Sequence, residues 1–174
     1  MSSGSTESQN EMALSAPEKL TEKHDISEFD CGEPSNNEYL KKRALVAQLQ
    51  KQAVVYVVCF VGTNKVAAFY TLSNGSIPRS NLVPKKLRRN TPDVHPVTIL
   101  GRMGITLAAQ GRGYAIDLLQ DAMARAINAS ETVASSAIVV HPITERLAQF
   151  YAKHAGFERN PDLSPMTMMV SLRR

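Results

Sequence analysis

The chain has 174 residues, 43% of them hydrophobic, with a formal net charge of +4; that suits one domain with a real core and excludes global disorder. No apolar run approaches the roughly 20 residues of a membrane helix, and the Ser-rich residues 1–10 hold no signal-peptide core. Cys31 and Cys59 give neither a metal spacing nor a disulfide framework, so a reducing cytoplasm is expected.

Residues 1–10 are expected to form a disordered leader and residues 11–174 a single domain. A short first strand is predicted near residues 12–14, ended by Pro17. Ser35-Asn36-Asn37-Glu38 reads as a capping box, Ser35 accepting from the third helical N–H and Glu38 reaching back. The helix is predicted to run to about Gln50, with Leu40, Ala44 and Ala47 on its inner face. Lys41, Lys42 and Arg43 then lie near its start, where the helix dipole disfavours cations. Residues 54–61 are β-branched and aromatic and predict a buried strand. Gly62-Thr63-Asn64 turns the chain into a hairpin partner at residues 66–73.

Residues 74–96 read as a long connection with a short helix at 82–89, and loops of that length are often functional. It carries Arg79, Lys85, Lys86, Arg88 and Arg89 with no acid among them; a second acid-free stretch holds Lys41, Lys42, Arg43 and Lys51. Such clusters fit a polyanionic partner, with a merely solvated face as the alternative. Residues 97–107 predict a strand in which Gly101 and Gly104 signal a bulge or a close backbone approach.

The next helix, residues 116–129, carries Ile116, Leu119, Met123, Ala126 and Ile127 at helical spacing. Residues 137–140 predict a short buried strand that Pro142 ends. Thr144 caps a helix bearing Leu147, Phe150 and Tyr151, and Gly156 stops it in the left-handed conformation. Residues 165–172 form a terminal strand, with Met166, Met168 and Met169 expected in the core. The order β-α-β-β-β-α-β-α-β predicts an α/β fold, a mixed sheet with helices on its faces.

Between the strand at 97–107 and the helix at 116–129 stands Gln110-Gly111-Arg112-Gly113-Tyr114-Ala115. A strand running through a glycine loop into a helix aims unpaired N–H groups and the positive dipole end at one point, which suits a phosphate. Glycine lets the backbone approach the anion closely, and Arg112 is placed to reach a phosphate directly. The spacing matches neither the Walker loop nor the dinucleotide fingerprint.

Gln110-x-x-Gly113-x-Ala115 resembles the Q/R-x-x-G-x-G/A pyrophosphate loop of the GCN5-related N-acetyltransferases, which bind acetyl-coenzyme A. Phe29-Asp30-Cys31-Gly32-Glu33, Leu100-Gly101-Arg102-Met103 and Phe150-Tyr151 with Gly156-Phe157 stand in the order and spacing of one subfamily. That subfamily is the acetyltransferase toxins of bacterial toxin–antitoxin operons, which acetylate the amino acid on charged transfer RNA. The resemblance covers about residues 11–172.

The resemblance implies a mixed, mostly antiparallel sheet flanked by helices, with a bulged strand before the pyrophosphate loop. It implies that Gln110, Gly111, Arg112, Gly113, Tyr114 and Ala115 hold the coenzyme's diphosphate, and that Met103, Gly104 and Ile105 pair with its pantetheine arm. Relatives more often carry Ala at the position of Gly104 and Asp at that of Thr106. Tyr151 falls in the frame of the catalytic tyrosine, whose O–H donates to the sulfur as thiolate charge develops. Arg102 reads as a buttress of the fold, with a contact to the transfer RNA acceptor end as the alternative, and Lys85, Lys86, Arg88 and Arg89 read as contacts to the transfer RNA backbone.

No base is assigned, because the α-amine of an aminoacyl ester should have a pKa at or below the ~8 of a free N-terminus, so much of it is already neutral at cellular pH. His95 and His141 qualify by type alone and read as structural histidines, and Cys31 as buried rather than nucleophilic. No metal is expected. The implied partners are aminoacyl-tRNA, a ribbon-helix-helix antitoxin that carries the complex onto operator DNA, and a second copy in a homodimer. Two alternatives stay open: an acetyltransferase acting on a small amine or a protein N-terminus, and a non-catalytic acetyl-CoA-binding regulator.

Overall fold

Where the chain alternates between apolar runs and glycine or proline stops, the computed structural model, which describes residues 13–173, places its strands and helices. The expected leader at 1–10, and residue 12 of the first expected strand, lie outside the described residues. The elements are β1 (Glu18–Lys19), α1 (Pro34–Lys42), α2 (Ala44–Leu49), β2 (Val54–Cys59), β3 (Val66–Pro78) and β4 (Val94–Ile105). They continue with α3 (Tyr114–Thr132), β5 (Ala137–Val140), α4 (Glu145–Ala155), β6 (Glu158–Asn160) and β7 (Thr167–Ser171). The sheet order is β1-β2-β3-β4-β5-β7-β6, mixed as predicted: β4 and β5 run parallel, whereas β1–β2, β5–β7 and β6–β7 are antiparallel. No described helix is long and apolar enough to cross a membrane. The described residues pack as two compact units, one comprising those up to Thr71 with Arg102–Leu118, the other Leu72–Gly101 with those from Leu119 onward.

In the first unit, Phe29, Leu40, Val55, Val57 and Phe69 form the core, with the Phe29 and Phe69 rings edge to face at 5.5 Å. Residues Leu40, Ala44 and Ala47 are buried, as their spacing predicts. The capping box does not form. Pro34 takes the first helical position, where its preset φ and missing N–H cost nothing, so the cap falls on Glu33 and Ser35 lies inside the first turn. The helix also does not run through to Gln50, because Arg43 leaves helical geometry at φ −125°, ψ −27°. Lys41 and Lys42 therefore sit in the last turn of α1, where the dipole favours cations, the reverse of the expected cost. Among the described residues, the first extended pairing is a single bridge from Leu14 to Phe60, and the first strand follows Pro17.

The second unit is built on β5, buried along its whole length between β4 and β7, which is why it reads as an unbroken apolar run. Its Ala137 and Val139 form one core cluster with Leu82, Val83, Val97 and Met169. Met168 is buried too, but Met166 is only half-buried and its sulfur lies 3.1 Å from the Arg159 guanidinium, so it leaves the expected core group. On α3, Leu119, Ala122 and Ala126 are buried, whereas Ile127 is 43% exposed. It stands eight residues past Leu119, about 80° off the buried stripe.

Strand β3 outlasts its predicted end, and from Ser73 to Pro78 it alternates half-buried and exposed positions, a strand pattern in a stretch whose composition reads as a loop. A Cβ on Gly75 would lie 2.6 Å from Ile99 Cδ1, so the glycine leaves room for the end of that side chain. The expected helix at 82–89 is instead a single 3-10 turn at Lys85–Arg88, with another at Arg79–Asn81 before it, and β4 stops at Ile105 before a third at Leu107–Ala109. Helix α4 begins and ends as predicted: Thr144 Oγ1 accepts from the Leu147 N–H at 3.1 Å, and Gly156 turns at φ 71°.

Candidate active site

The glycine loop belongs to the first unit. Gly111 and Gly113 hold φ of 77° and 83°, a region that L side chains rarely adopt, and nothing lies within 4 Å of where a Cβ would stand on either. The loop is thus strained for any residue but glycine and open on its outer face. Tyr114 and Ala115 begin α3, with Gly113 O accepting from the Ile116 N–H. The Gln110 amide turns inward and donates to Ile105 O at 2.8 Å and to Cys31 O at 3.0 Å. It braces the loop against the end of β4 and the 29–33 segment, while Arg112 is exposed.

The end of β4 is crowded. A Cβ on Gly104 would lie 3.2 Å from Cys31 Sγ and 3.3 Å from Phe69 Cε1, which is the close approach its glycine signals. The Met103 carbonyl accepts from Asn36 Nδ2 at 3.5 Å, and Ile105 O is held by Gln110. Arg102 lies 4.5 Å over the Tyr39 ring and donates to Ser35 O and to Asn36 Oδ1, which fastens α1 to β4 and fits its structural reading. Thr106 is buried, its N–H donating to Ala67 O and its hydroxyl bonding the backbone of Asp30. The Gly32 N–H and Asn37 Nδ2 both donate to the Asp30 carboxylate at 2.9 Å and hold its pKa below the usual range. Cys31 is half-buried instead of buried as expected; partial desolvation pushes its thiol pKa up, and the thiol points at Glu33 O. Asn36, Asn37 and Thr106 escape sequence reasoning. Two adjacent asparagines, poor helix formers at a helix start, were the available signal.

Tyr151 belongs to the second unit. It is 7% exposed on α4, its ring edge-on to Phe150 at 5.6 Å and to Phe157 at 5.5 Å. Burial pushes its pKa up to about 12, and its hydroxyl has no hydrogen bond among the described residues. His141 Nδ1 pairs with Thr167 Oγ1 at 3.1 Å. His95 is buried with Nδ1 3.2 Å from Ser136 Oγ, and its Nε2 has no partner among the described residues. In the basic connection Leu82 and Val83 are buried, while Lys85, Lys86 and Arg89 are exposed. Arg88 differs from them: half-buried, it donates from Nε to Leu82 O at 2.9 Å.

Glu18, His24 and Cys59 bring three possible metal-ligating atoms within 4.8 Å of one another. The Thr21 N–H, however, donates to His24 Nδ1 at 2.9 Å, which leaves the ring proton on Nε2, donated to Glu18 at 2.7 Å. That ring has no lone pair left to offer a metal.

No family model matches the chain. It is 36% identical over 159 residues to a tRNA-acetylating toxin of Mycobacterium tuberculosis, with 91% of this chain and 93% of the relative covered. It is similar to the solved structure of AtaT complexed with acetyl-methionyl-tRNAfMet, at a TM-score of 0.83 and 27% identity, covering 91% and 95% of the two chains. A Tyr-to-Phe variant of AtaT, bound to the C-terminus of the antitoxin AtaR and to acetyl-CoA, matches at a TM-score of 0.76 and 25% identity, covering 91% and 93%. The KacTA–DNA complex matches at a TM-score of 0.76 and 25% identity, covering 92% and 94%.

Proposed function

The chain belongs to the tRNA-acetylating toxins of the GCN5-related N-acetyltransferase family, and from that membership we propose how its residues divide the work. It is an acetyl-CoA-dependent enzyme that acetylates the α-amino group of aminoacyl-tRNA. The modified amine is no longer the nucleophile that peptide-bond formation needs, so translation stalls.

The paired glycines at φ 77° and 83°, between a braced Gln110 and the start of α3, are the observation that carries the assignment of the coenzyme site. Gln110, Gly111, Arg112, Gly113, Tyr114 and Ala115 form the cradle for the diphosphate, which the open outer face of both glycines accommodates. Met103, Gly104 and Ile105 meet the pantetheine arm. Of the two side-chain amides on this strand, Asn36 makes the longer bond, at 3.5 Å, and is the one the arm displaces. Acetyl-CoA supplies the activated acetyl group when bound.

Tyr151 supplies the hydrogen bond to the departing sulfur. A phenol held at about 12 keeps its proton throughout the physiological range. It is also a far weaker acid than a thiol near ~8.5, so it stabilises the thiolate by donating a hydrogen bond without giving up the proton. The substrate amine is largely neutral, and no side chain is required as its base.

Lys85, Lys86 and Arg89 contact the RNA backbone, with Arg88 shaping the loop that presents them. Residues 11–174 act as one catalytic domain in the cytoplasm. A ribbon-helix-helix antitoxin neutralises a homodimer of it and carries the complex onto operator DNA.

The test is mass spectrometry of charged transfer RNA after incubation with the protein and isotopically labelled acetyl-CoA. A labelled acetyl group on the amino acid is expected; an unmodified amino acid at full coenzyme occupancy overturns the reading.

A further inference from the structure

The basic connection is held more firmly than a solvated cationic loop needs. Leu82 and Val83 anchor it in the core of the second unit. Arg79 pairs with Asp93 at 2.9 Å and donates to Thr91 O, and Thr91 Oγ1 donates to Arg88 O. Two further braces come from the far end of the chain. Asn160, on β6 and 2% exposed, donates from Nδ2 to Asn81 O at 3.0 Å while its Oδ1 accepts from the Asp162 N–H at 3.0 Å. Both ends of the amide are engaged, so its orientation is fixed. Arg173, although exposed, donates from Nη2 to Leu87 O at 2.7 Å.

Three arginines of this region, Arg79, Arg88 and Arg173, thus bond main-chain carbonyls of the connection itself. Lys85, Lys86 and Arg89 are left exposed on a fixed arc. A flexible cationic arm would also attract a polyanion, but binding would then cost the entropy of ordering it. Preorganisation removes that cost.

We propose that Asn160 and Arg173 are positioning residues for charged transfer RNA, holding Asn81 and Leu87 so that Lys85, Lys86 and Arg89 are presented in register with RNA phosphates. This rests on the reading of the connection as an RNA backbone contact. Neither residue touches the reacting atoms. They act through the shape of the loop, and their effect falls on the affinity for the large substrate alone.

The experiment compares steady-state kinetics of the full chain and its variants with charged transfer RNA and acetyl-CoA. Asn160→Asp keeps the shape and the bond from Asp162 but turns the donor facing Asn81 O into an acceptor. Arg173→Met removes the bond to Leu87 O, and Arg173→Lys keeps a donor there. The KM for charged transfer RNA should rise about tenfold in Asn160→Asp and Arg173→Met. The KM for acetyl-CoA and the saturated kcat should stay within about twofold, and Arg173→Lys should recover most of the loss. A parallel variant with Lys85, Lys86 and Arg89 all changed to Gln tests the contact itself. If that variant loses transfer RNA affinity while Arg173→Met and a folded Asn160→Asp do not, the proposal is wrong and the contact stands. If the triple variant binds normally, the contact reading fails and takes the proposal with it. Should Asn160→Asp not fold, the Arg173 pair decides, since that side chain is exposed. A uniform loss in kcat and both KM values would mark these residues as merely structural and overturn the proposal.

Discussion

Asp30 and Thr106 exchange two hydrogen bonds across 76 positions of sequence: Thr106 Oγ1 accepts from the Asp30 N–H and donates to the Asp30 carbonyl, each at 3.2 Å. The Leu107 N–H donates to the same carbonyl at 2.8 Å. Together with Gln110 on Cys31 O, these bonds stitch the 29–33 segment to the end of β4, immediately before the glycine loop. Thr106→Val preserves the shape and removes both hydroxyl bonds. A loss of about 1–2 kcal/mol in denaturant unfolding is expected, with a severalfold rise in the KM for acetyl-CoA. An unchanged KM would show that the stitch does not shape the coenzyme site.

Replacing Tyr151 by Phe should lower kcat by about 10²–10³-fold while leaving coenzyme affinity, measured by calorimetry, as it was. Turnover that persists undiminished in Tyr151→Phe refutes the role given to the hydroxyl.

The same residue makes a pH prediction. Its folded pKa of about 12 exceeds the ordinary value of 10.0, so the native state holds the proton more tightly than the unfolded chain. The associated stability is fully present below pH 10 and is lost as pH rises through 12. It amounts to about 2–3 kcal/mol. Denaturation of the parent and Tyr151→Phe across that window should show a steeper alkaline decline in the parent. Parallel curves would show that the phenol titrates normally.

Gly113→Ala should cost about 1–2 kcal/mol of stability, because the left-handed backbone penalises a Cβ while the surrounding space is open. It should also weaken acetyl-CoA binding about tenfold, since the N–H groups that meet the diphosphate move with that backbone. Gly62→Ala is the control. At φ 78° with nothing within 4 Å, it should cost the same stability and leave coenzyme binding untouched.

Gly104→Ala places a methyl group against Cys31 Sγ and Phe69, and a destabilisation of about 1 kcal/mol is expected from overpacking. In a Cys31→Ala background the cost should shrink. A double-mutant cycle by thermal unfolding measures the coupling, and strict additivity would disprove the steric link.

How much of this was legible in the sequence depended on whether signals agreed. Strand β5 and helix α4 were read correctly because an apolar run, a threonine cap and a stop glycine each pointed one way. The start of α1 was misread because Pro34 and Ser35 compete for it, and proline's preference for the first helical position won. Nothing local announced the break at Arg43, since Lys-Lys-Arg-Ala is a good helical run. Strand β6 is three polar residues whose pairing among the described residues comes from β7. In the candidate site, Gln110, Gly111 and Gly113 were visible as a contiguous loop. Asn36 and Thr106 were not, because their roles lie in contacts to residues 67 and 76 positions away.

Helix α4 is clamped at both ends, by Thr144 and by Gly156, so its starting phase is set by covalent connectivity. Each residue advances a helix by about 100°. Inserting or deleting one amino acid between Thr144 and Tyr151 would therefore swing the phenol a quarter-turn or more around the axis and out of its aromatic sleeve. The number of residues in that span is under as much constraint as their identities, and length variation there should abolish turnover even where every side chain is retained.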